Sequence, residues 1–269
     1  MHRRVRRPAV YLTLVALVIV AACATVPITG RKQLSIIPSG QLQSMSYDQY
    51  AEVLQTSPLS TDREATAMVK RVGARIQVAV EQYMAQQGLS GQLSGYQWEF
   101  NLLESDQVNA WCMPGGKVAF YTGILPICQG EAGIAVVMGH EIAHAIADHG
   151  GERMSQGLLT QFGGMALDQA LSNKPEQTRA LASTAFALGA QFGAVLPFSR
   201  LHESEADHMG LIFMAMAGYD PRQAPAFWER MAAGGGAKPP EFMSTHPSDE
   251  TRIRKLNESM PDALRYYQP

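Results

Sequence analysis

The chain has 269 residues, of which 46% are hydrophobic and 17% charged, so it can bury a core and is not a disordered tail. This length suits one large domain or two small ones. The formal net charge of -2 gives no reason to expect a nucleic-acid partner.

The first 22 residues are typical of a targeting segment. Basic residues between Arg3 and Arg7 precede an apolar run from Ala9 to Ala22 that is too short for a comfortable membrane span. Small residues directly before Cys23 resemble the lipobox of bacterial lipoproteins, which implies cleavage before Cys23 and lipidation of that residue. Ala24 then suggests the outer membrane. An ordinary secretory signal with an incidental cysteine is the alternative.

These features predict how the chain is divided. Residues 1–22 are a lipoprotein signal peptide, 23–46 a lipid anchor with an extended segment, 47–262 the main folded domain and 263–269 a tail. The predicted location is the bacterial cell envelope, lipid-anchored on its periplasmic face.

Hydrophobic spacing predicts one α+β domain that is mostly helical, with a small sheet. From Tyr47 to Gln87 apolar residues recur at three- and four-residue steps, as on one face of a helix. Gly150 and Gly151 should end or break the central helix. The uncharged run Ala180 to Ser199 is too weakly hydrophobic for a membrane span and favours a buried or lid-forming helix pair. The other predicted elements are strands over Tyr96 to Leu103, Val108 to Met113 and Lys117 to Tyr121, and helices over Glu131 to His149, 155 to 198, Arg200 to Ala217 and Asp249 to Glu258.

The chemistry centres on the HExxH sequence from His140 to His144. Residues four apart share a helix face, so both imidazoles can hold one Zn²⁺. Glu141 lies beside the metal, where it can take a proton from the attacking water and pass it to the leaving amine. Zinc lowers the pKa of that water toward about 7 and polarises the scissile carbonyl. Because the surrounding positions are apolar, two incidental buried histidines would lack partners.

A catalytic zinc needs a third protein ligand and one open position. The HExxHxxGxxH arrangement is absent, since Ala147 and Gly150 stand where Gly and His are required. We therefore assign Glu203 to the metal. Asp207, one turn further on, is placed to accept a hydrogen bond from a ligand histidine. The alternative is a solvated, acid-rich start of a helix.

The HExxH and Glu-x-x-Ala-Asp pair resembles the gluzincin metallopeptidases that include the CAAX prenyl endopeptidases, HtpX and the periplasmic proteases BepA and LoiP. The resemblance implies a zincin-like fold with an edge strand from Asn109 to Met113 beside the cleft, able to bind an extended substrate. The substrate-binding residues are then Asn109, Ala110, Trp111 and Cys112. Further matching segments are Pro27 to Leu34, Pro114 to Lys117, His149 to Ser155, Gly218 to Pro221 and Thr245 to Pro247.

His246 matches a histidine that, in the BepA group, can approach the zinc and keep the enzyme latent. Transition-state support and plain loop structure are its alternatives, so we predict a catalytic-site position and leave the latch open. His149 is expected to be structural, and His202 and His208 local or second-shell. Arg252 either faces the cleft or forms a surface salt bridge.

Two cysteines remain after Cys23. An oxidising compartment would let Cys112 and Cys128 pair, but two free thiols are equally compatible with the sequence.

The leading hypothesis is a zinc metalloendopeptidase that degrades unfolded or misassembled cell-envelope proteins, with other envelope proteases or assembly machinery as further partners. The quality-control role rests on the resemblance alone. The alternative is a periplasmic chaperone or binding lipoprotein whose proteolysis is latent or vestigial. The intact Glu141 argues against a dead enzyme but is compatible with a latched one. A purely structural zinc site would use four Cys or His ligands, and the chain has no CxxC.

Overall fold

The computed structural model describes residues 23–191, 196–233, 242–243, 246 and 251–268. The predicted signal peptide and the side chain of Cys23 lie outside the described residues. The strands are β1 (Cys23–Thr25), β2 (Lys32–Leu34), β3 (Glu99–Leu103), β4 (Ala110–Met113) and β5 (Lys117–Tyr121). The helices are α1 (Ser39–Thr56), α2 (Arg63–Gln86), α3 (Leu125–Cys128), α4 (Glu131–Ile146), α5 (His149–Ala170), α6 (Glu176–Ala190), α7 (Leu196–Met216), α8 (Gln223–Ala233) and α9 (Arg252–Leu264).

The main sheet has three strands in the order β3-β5-β4. β3 runs parallel to β5, and β4 pairs antiparallel with β5 across the turn at Gly115 and Gly116, both of which have positive φ. β4 therefore has a partner on one side only within the described chain. The predicted α+β fold with a small sheet and an edge strand is confirmed. A separate hairpin, β1–β2, precedes the helices.

Helix α4 forms the centre of the core. Every residue from Gly133 to Ile146 is buried, as the apolar sequence around the HExxH motif indicated. Its neighbour α7 approaches it backbone to backbone, because a Cβ on Gly139 would lie 2.8 Å from the Gly210 carbonyl oxygen and one on Gly210 would lie 2.9 Å from the His140 nitrogen. This glycine contact brings the HExxH motif next to Glu203.

The first predicted helix is two helices. Pro58 disfavours helical geometry at Ser57, which is extended with φ −114° and ψ 129°. Helix α2 then starts afresh at Asp62, whose side chain accepts the Ala65 N–H at 2.9 Å. Helix α1 also begins at Ser39, so the segment we expected to be extended as far as residue 46 is partly helical.

The break after the HExxH helix falls earlier than predicted. Helix α4 ends at Ile146, and Asp148 turns the chain with left-handed backbone angles of 53° and 35°, which aspartate tolerates better than most residues. The expected breakers Gly150 and Gly151 lie in the first turn of α5. Gly151 leaves room there for the Asp148 carboxylate, which a Cβ would displace.

Helices α5 and α6 form an exposed hairpin. Helix α6 buries none of its side chains, so the interpretation of this region as a buried pair is wrong. The uncharged run that we excluded as a membrane span is divided between α6 and α7, with residues 192–195 outside the described part. Among the described residues, no single helix is long and apolar enough to cross a membrane, although the bent pair Thr122–Cys128 and Glu131–Ile146 passes on length and composition together.

Both described cysteine side chains are free thiols. Cys128 is buried on α3, and burial raises its pKa to about 12. Cys112 lies on β4, and burial raises its pKa as well. The disulfide that the sequence allowed is not formed.

Candidate metal centre

Four buried side chains from three parts of the chain converge beside α4. His140 and His144 come from that helix, Glu203 from α7 and His246 from the segment before α9. His140 Nε2 lies 3.1 Å from His144 Nε2 and 3.2 Å from His246 Nδ1. Glu203 oxygens lie 3.3 Å from His140 Nε2, 3.4 Å from His144 Nε2 and 3.2 Å from His246 Nδ1.

These distances have the size that a tetrahedral zinc requires. Bonds of about 2.0–2.1 Å place the ligand atoms of such a zinc roughly 3.3–3.4 Å apart, and the five separations given above span 3.1–3.4 Å. Three imidazole nitrogens and one carboxylate oxygen are also the donor types that zinc prefers. The four residues therefore fit the metal in both geometry and chemistry.

The charge states within the cluster are set by its contacts. Burial would lower the pKa of His140, but hydrogen bonds with Asp207 and Glu203 raise it to about 9, so a bound metal displaces a proton from this ring. Burial would raise the pKa of Glu203, but its contacts with the rings of His140, His144 and His246 outweigh burial and lower that pKa far below 4.5. Burial also lowers the pKa of His144 well below 6.5, which leaves it neutral. An ionised carboxylate and a neutral imidazole are the forms that bind a metal.

Glu141 faces the cluster without belonging to it. Its Oε1 is buried and accepts no hydrogen bond in the described part of the chain, and His246 Nε2 lies 3.4 Å away. Burial raises the pKa of Glu141. A desolvated carboxylate with a raised pKa is suited to accept and return a proton.

His140 is oriented by Asp207. Since a carboxylate only accepts, His140 Nδ1 donates to Asp207 Oδ1 over 2.9 Å, which leaves Nε2 free to face the cluster. Arg252 holds the same carboxylate oxygen through Nη2 at 2.6 Å, and its guanidinium carbon lies 3.3 Å from the ring centre of Trp228. Arg252 is 4% exposed, so it lies inside the site and the surface salt bridge we considered is excluded.

His144 is oriented through a second histidine. Its Nδ1 lies 2.8 Å from His149 Nδ1, and His149 Nε2 lies 3.0 Å from Glu205 Oε2. Burial lowers the pKa of His149 to about 4, so this ring is neutral and donates from Nε2 to the carboxylate. His149, which we expected to be structural, thus touches a residue of the cluster.

Arg31 from the N-terminal hairpin joins this second arm. Its Nε donates to Glu205 Oε2 at 2.9 Å, and its two terminal nitrogens donate to both oxygens of Glu152 at 3.0 and 2.7 Å. Glu152 also accepts from His202 Nε2 at 2.8 Å, in line with the local role expected for His202. Burial would raise the pKa of Glu152, but hydrogen bonds from His202 and Arg31 lower it to about 2.

His246 is fixed by the residues that precede it. Its ring stacks on Phe242, with centroids 4.5 Å apart and planes inclined by 23°. Its backbone nitrogen donates to the Phe242 carbonyl at 2.8 Å, and Phe242 in turn donates to the Val108 carbonyl at 3.0 Å. The segment carrying His246 is therefore attached to the chain just before β4.

A cavity of about 260 Å³ opens beside the cluster. The predicted substrate-binding strand forms one wall, together with an arginine of α5 that the sequence analysis did not single out. The lining residues are Asn109, Ala110, Trp111, Cys112, Glu141, His144, Arg153 and His246.

Several residues of the site were missed from the sequence. Arg31, Glu152 and Glu205 were not singled out, and Arg31 lies 174 positions from Glu205 and 121 from Glu152. For Arg31 and Glu152 the available signal was their place within segments that match the family. His208, which we expected to have a local role or to support a metal ligand, makes no contact with the site among the described residues.

Comparisons with known proteins identify the family of the chain. Residues 70–260 match the model of Peptidase family M48. The chain is 37% identical over 247 residues to the mitochondrial metalloendopeptidase OMA1 of Schizosaccharomyces pombe, covering 88% of this chain and 66% of that protein. It is 31% identical over 248 residues to the Bos taurus OMA1, covering 89% and 46% respectively.

A bacterial relative matches at lower identity. The β-barrel assembly-enhancing protease of Escherichia coli is 27% identical over 236 residues, covering 85% of this chain and 46% of that protein. The chain thus spans less than two thirds of the length of these relatives. The finer resemblance to the BepA and LoiP group stays a prediction, because the mitochondrial proteases match at higher identity. The chain belongs to peptidase family M48, and this family confirms the predicted metalloendopeptidase class and its zinc cofactor.

Proposed function

We propose that this chain hydrolyses internal peptide bonds of extended polypeptides, with zinc held by His140, His144 and Glu203. The observation that carries the proposal is the convergence of donor atoms at 3.1–3.4 Å next to a buried carboxylate oxygen of Glu141 that accepts no hydrogen bond from the described residues. When bound there, zinc supplies an acidified water and polarises the scissile carbonyl.

Glu141 is the general base in this proposal. Its raised pKa lets it take a proton from the attacking water and deliver it to the leaving amine. Asp207 keeps His140 in the tautomer whose Nε2 lone pair faces the metal, as its 2.9 Å hydrogen bond with Nδ1 supports.

The free edge of β4 is the proposed substrate platform. The Tyr121 N–H bonds to the Asn109 carbonyl, so the alternation of an antiparallel ladder turns the backbone groups of Ala110 and Cys112 away from β5. The Ala110 N–H is already bonded to the Asn109 side chain at 2.9 Å, which leaves Cys112 as the N–H donor. An extended peptide added there would run along the cavity that Glu141 lines.

His246 is the proposed latch. Its Nδ1 occupies the fourth position around the centre, 3.2 Å from both His140 Nε2 and Glu203, where a water or a scissile carbonyl has to enter. Release of its segment from the contacts with Phe242 and Val108 would open that position. This geometry favours a protease that rests in a closed state over a permanently inactive binding protein.

The substrates follow from chemistry and resemblance together. A strand-adding cleft takes any segment that is already extended, so unfolded or misassembled proteins are the proposed substrate class. The Escherichia coli relative is named for β-barrel assembly, which supports cell-envelope proteins as substrates if Cys23 is lipidated. We propose lipid attachment at Cys23, on the periplasmic face, from the N-terminal sequence pattern alone.

The test compares the full-length protein with Glu141→Gln. We expect about one zinc per chain in both, with casein cleavage by the wild type and a loss of at least about 10²-fold in the variant. Zinc in both proteins with no cleavage by either would favour the latent binding protein. The absence of zinc from both would refute the ligand set.

A further inference from the structure

The N-terminal hairpin reaches the metal centre through a continuous line of buried polar groups. From Arg31 the contacts pass to Glu205 at 2.9 Å, to His149 at 3.0 Å and to His144 at 2.8 Å. Thr29 of the same hairpin also donates to Glu205. Glu205 and His149 are 5% and 0% exposed, so solvent cannot replace these bonds.

The direction of each hydrogen bond follows from what each group can donate. Glu205 only accepts, so His149 Nε2 must carry a proton and donate to it. His144 has to keep the lone pair on Nε2, the atom that faces Glu203 and His140, for the metal, so its proton lies on Nδ1. That Nδ1 therefore donates to His149 Nδ1, 2.8 Å away.

The two histidines of the HExxH motif are thus supported in parallel ways. His140 donates to Asp207, and Arg252 holds that carboxylate. His144 donates through His149 to Glu205, which Arg31 holds. In each arm a carboxylate sets the tautomer of the histidine, and an arginine keeps the carboxylate ionised and in place.

We propose that Arg31, Glu205 and His149 form a positioning relay for His144, which makes the N-terminal hairpin a working part of the metal centre. The relay rests on the proposed function, since it acts by presenting His144 Nε2 to zinc. Arg31 lies only eight residues beyond Cys23, so the hairpin that follows the N-terminal apolar segment is tied directly to the centre. The relay is a positioning device and does not touch substrate.

Two contacts fix Arg31 in this role. Its guanidinium binds Glu152 through two parallel bonds at 3.0 and 2.7 Å, a geometry that lysine cannot reproduce. His202 Nε2 donates to Glu152 Oε2, the oxygen that Arg31 Nη2 also contacts, and the His202 ring stacks on His149 with ring centres 4.2 Å apart. The relay therefore has a rigid support on the side away from the metal.

The experiment measures zinc affinity of the full-length protein in detergent by competition with a chromophoric chelator. Removing an outer partner of a metal-bound histidine costs roughly 10–100-fold in metal affinity, so Arg31→Ala and His149→Phe should each weaken zinc binding by that factor. Lys32→Ala is the matched control, because Lys32 is an exposed cation on the same hairpin whose ammonium group donates to Thr25 Oγ1 and makes no described contact with the relay; this variant should stay within about twofold of the wild type.

A conservative variant separates positioning from packing. His149→Gln retains a donor and an acceptor on one planar group and should recover most of the affinity lost in His149→Phe. Zinc binding by His149→Phe within twofold of the wild type, or by His149→Gln as weak as His149→Phe, would overturn the relay. A wild type that binds no zinc refutes the proposed function instead, so the two failures are distinct.

Discussion

Arg252→Ala should be among the most destabilising single changes at this site. Arg252 is 4% exposed and donates to Asp207 over 2.6 Å, while its guanidinium lies 3.3 Å from the ring centre of Trp228. The substitution would leave the Asp207 carboxylate buried, with His140 as its one remaining partner among the described residues. It would also open a void against the indole ring.

The expected cost can be worked from these contacts. Removing one partner of a buried ion pair costs about 3–5 kcal/mol, and a desolvated cation–π contact adds up to about 2 kcal/mol that overlaps with that figure. We therefore expect a loss of about 3–5 kcal/mol in the free energy of unfolding. For a chain of this size that corresponds to a fall in Tm of roughly 6–20 °C.

Arg254→Ala provides the control on the same helix. Arg254 pairs with Glu258 one turn away, and both side chains are more than half exposed, at 62% and 59%, so its loss should cost less than about 1 kcal/mol. Urea unfolding of the three metal-free proteins gives the comparison. If Arg252→Ala and Arg254→Ala differ by less than 1 kcal/mol, Arg252 does not hold Asp207 in the folded protein.

Three further predictions concern the latch, the strand and acid stability. His246→Ala should raise basal casein cleavage by up to about tenfold, because stacking on Phe242 is worth roughly 0.5–1.5 kcal/mol; a fall in activity would contradict the latch. Cys112→Pro removes the outward N–H of β4 but no bond to β5, so it should raise KM for casein, whereas Cys112→Ala should leave KM unchanged. Equal KM values for the two variants would contradict substrate binding at β4. Because folding lowers the pKa of Glu152 from 4.5 to about 2, its ionised form stabilises the fold fully above pH 4.5, and this stabilisation is lost as the pH falls toward 2. The free energy of unfolding, measured with urea between these pH values, should therefore fall less steeply for Arg31→Ala than for the wild type. Equal slopes for the two proteins would refute the contribution of the Arg31–Glu152 pair.

The local part of the site was predictable from the sequence. The spacing of His140, Glu141 and His144 fixes one helix face, and the four-residue step from Glu203 to Asp207 fixes another. The three β-like runs were located with ends within a few residues of the observed strands. These features depend on periodicity and turn chemistry within short stretches, which a sequence displays directly.

The features that the sequence did not predict depend on contacts between distant parts of the chain. The bond of Arg31 to Glu205 spans 174 positions, and no periodicity links those two residues. The split of the first helix at Pro58 was readable from the chain, but the helical spacing on both sides of it masked the break. The central helix ends just before Asp148 and not at the glycines, because Asp148 adopts the left-handed backbone and Gly151 leaves room for its carboxylate.

The central claim is that zinc binds where His140, His144 and Glu203 converge. Anomalous X-ray diffraction at the zinc absorption edge, from crystals of the full-length protein, tests this most directly. We predict a single peak at about 2.0–2.1 Å from the Nε2 atoms of both histidines and from one Glu203 oxygen, with His246 Nδ1 next to it in the closed state. A peak elsewhere, or a cluster without metal in zinc-saturated crystals, would contradict the account.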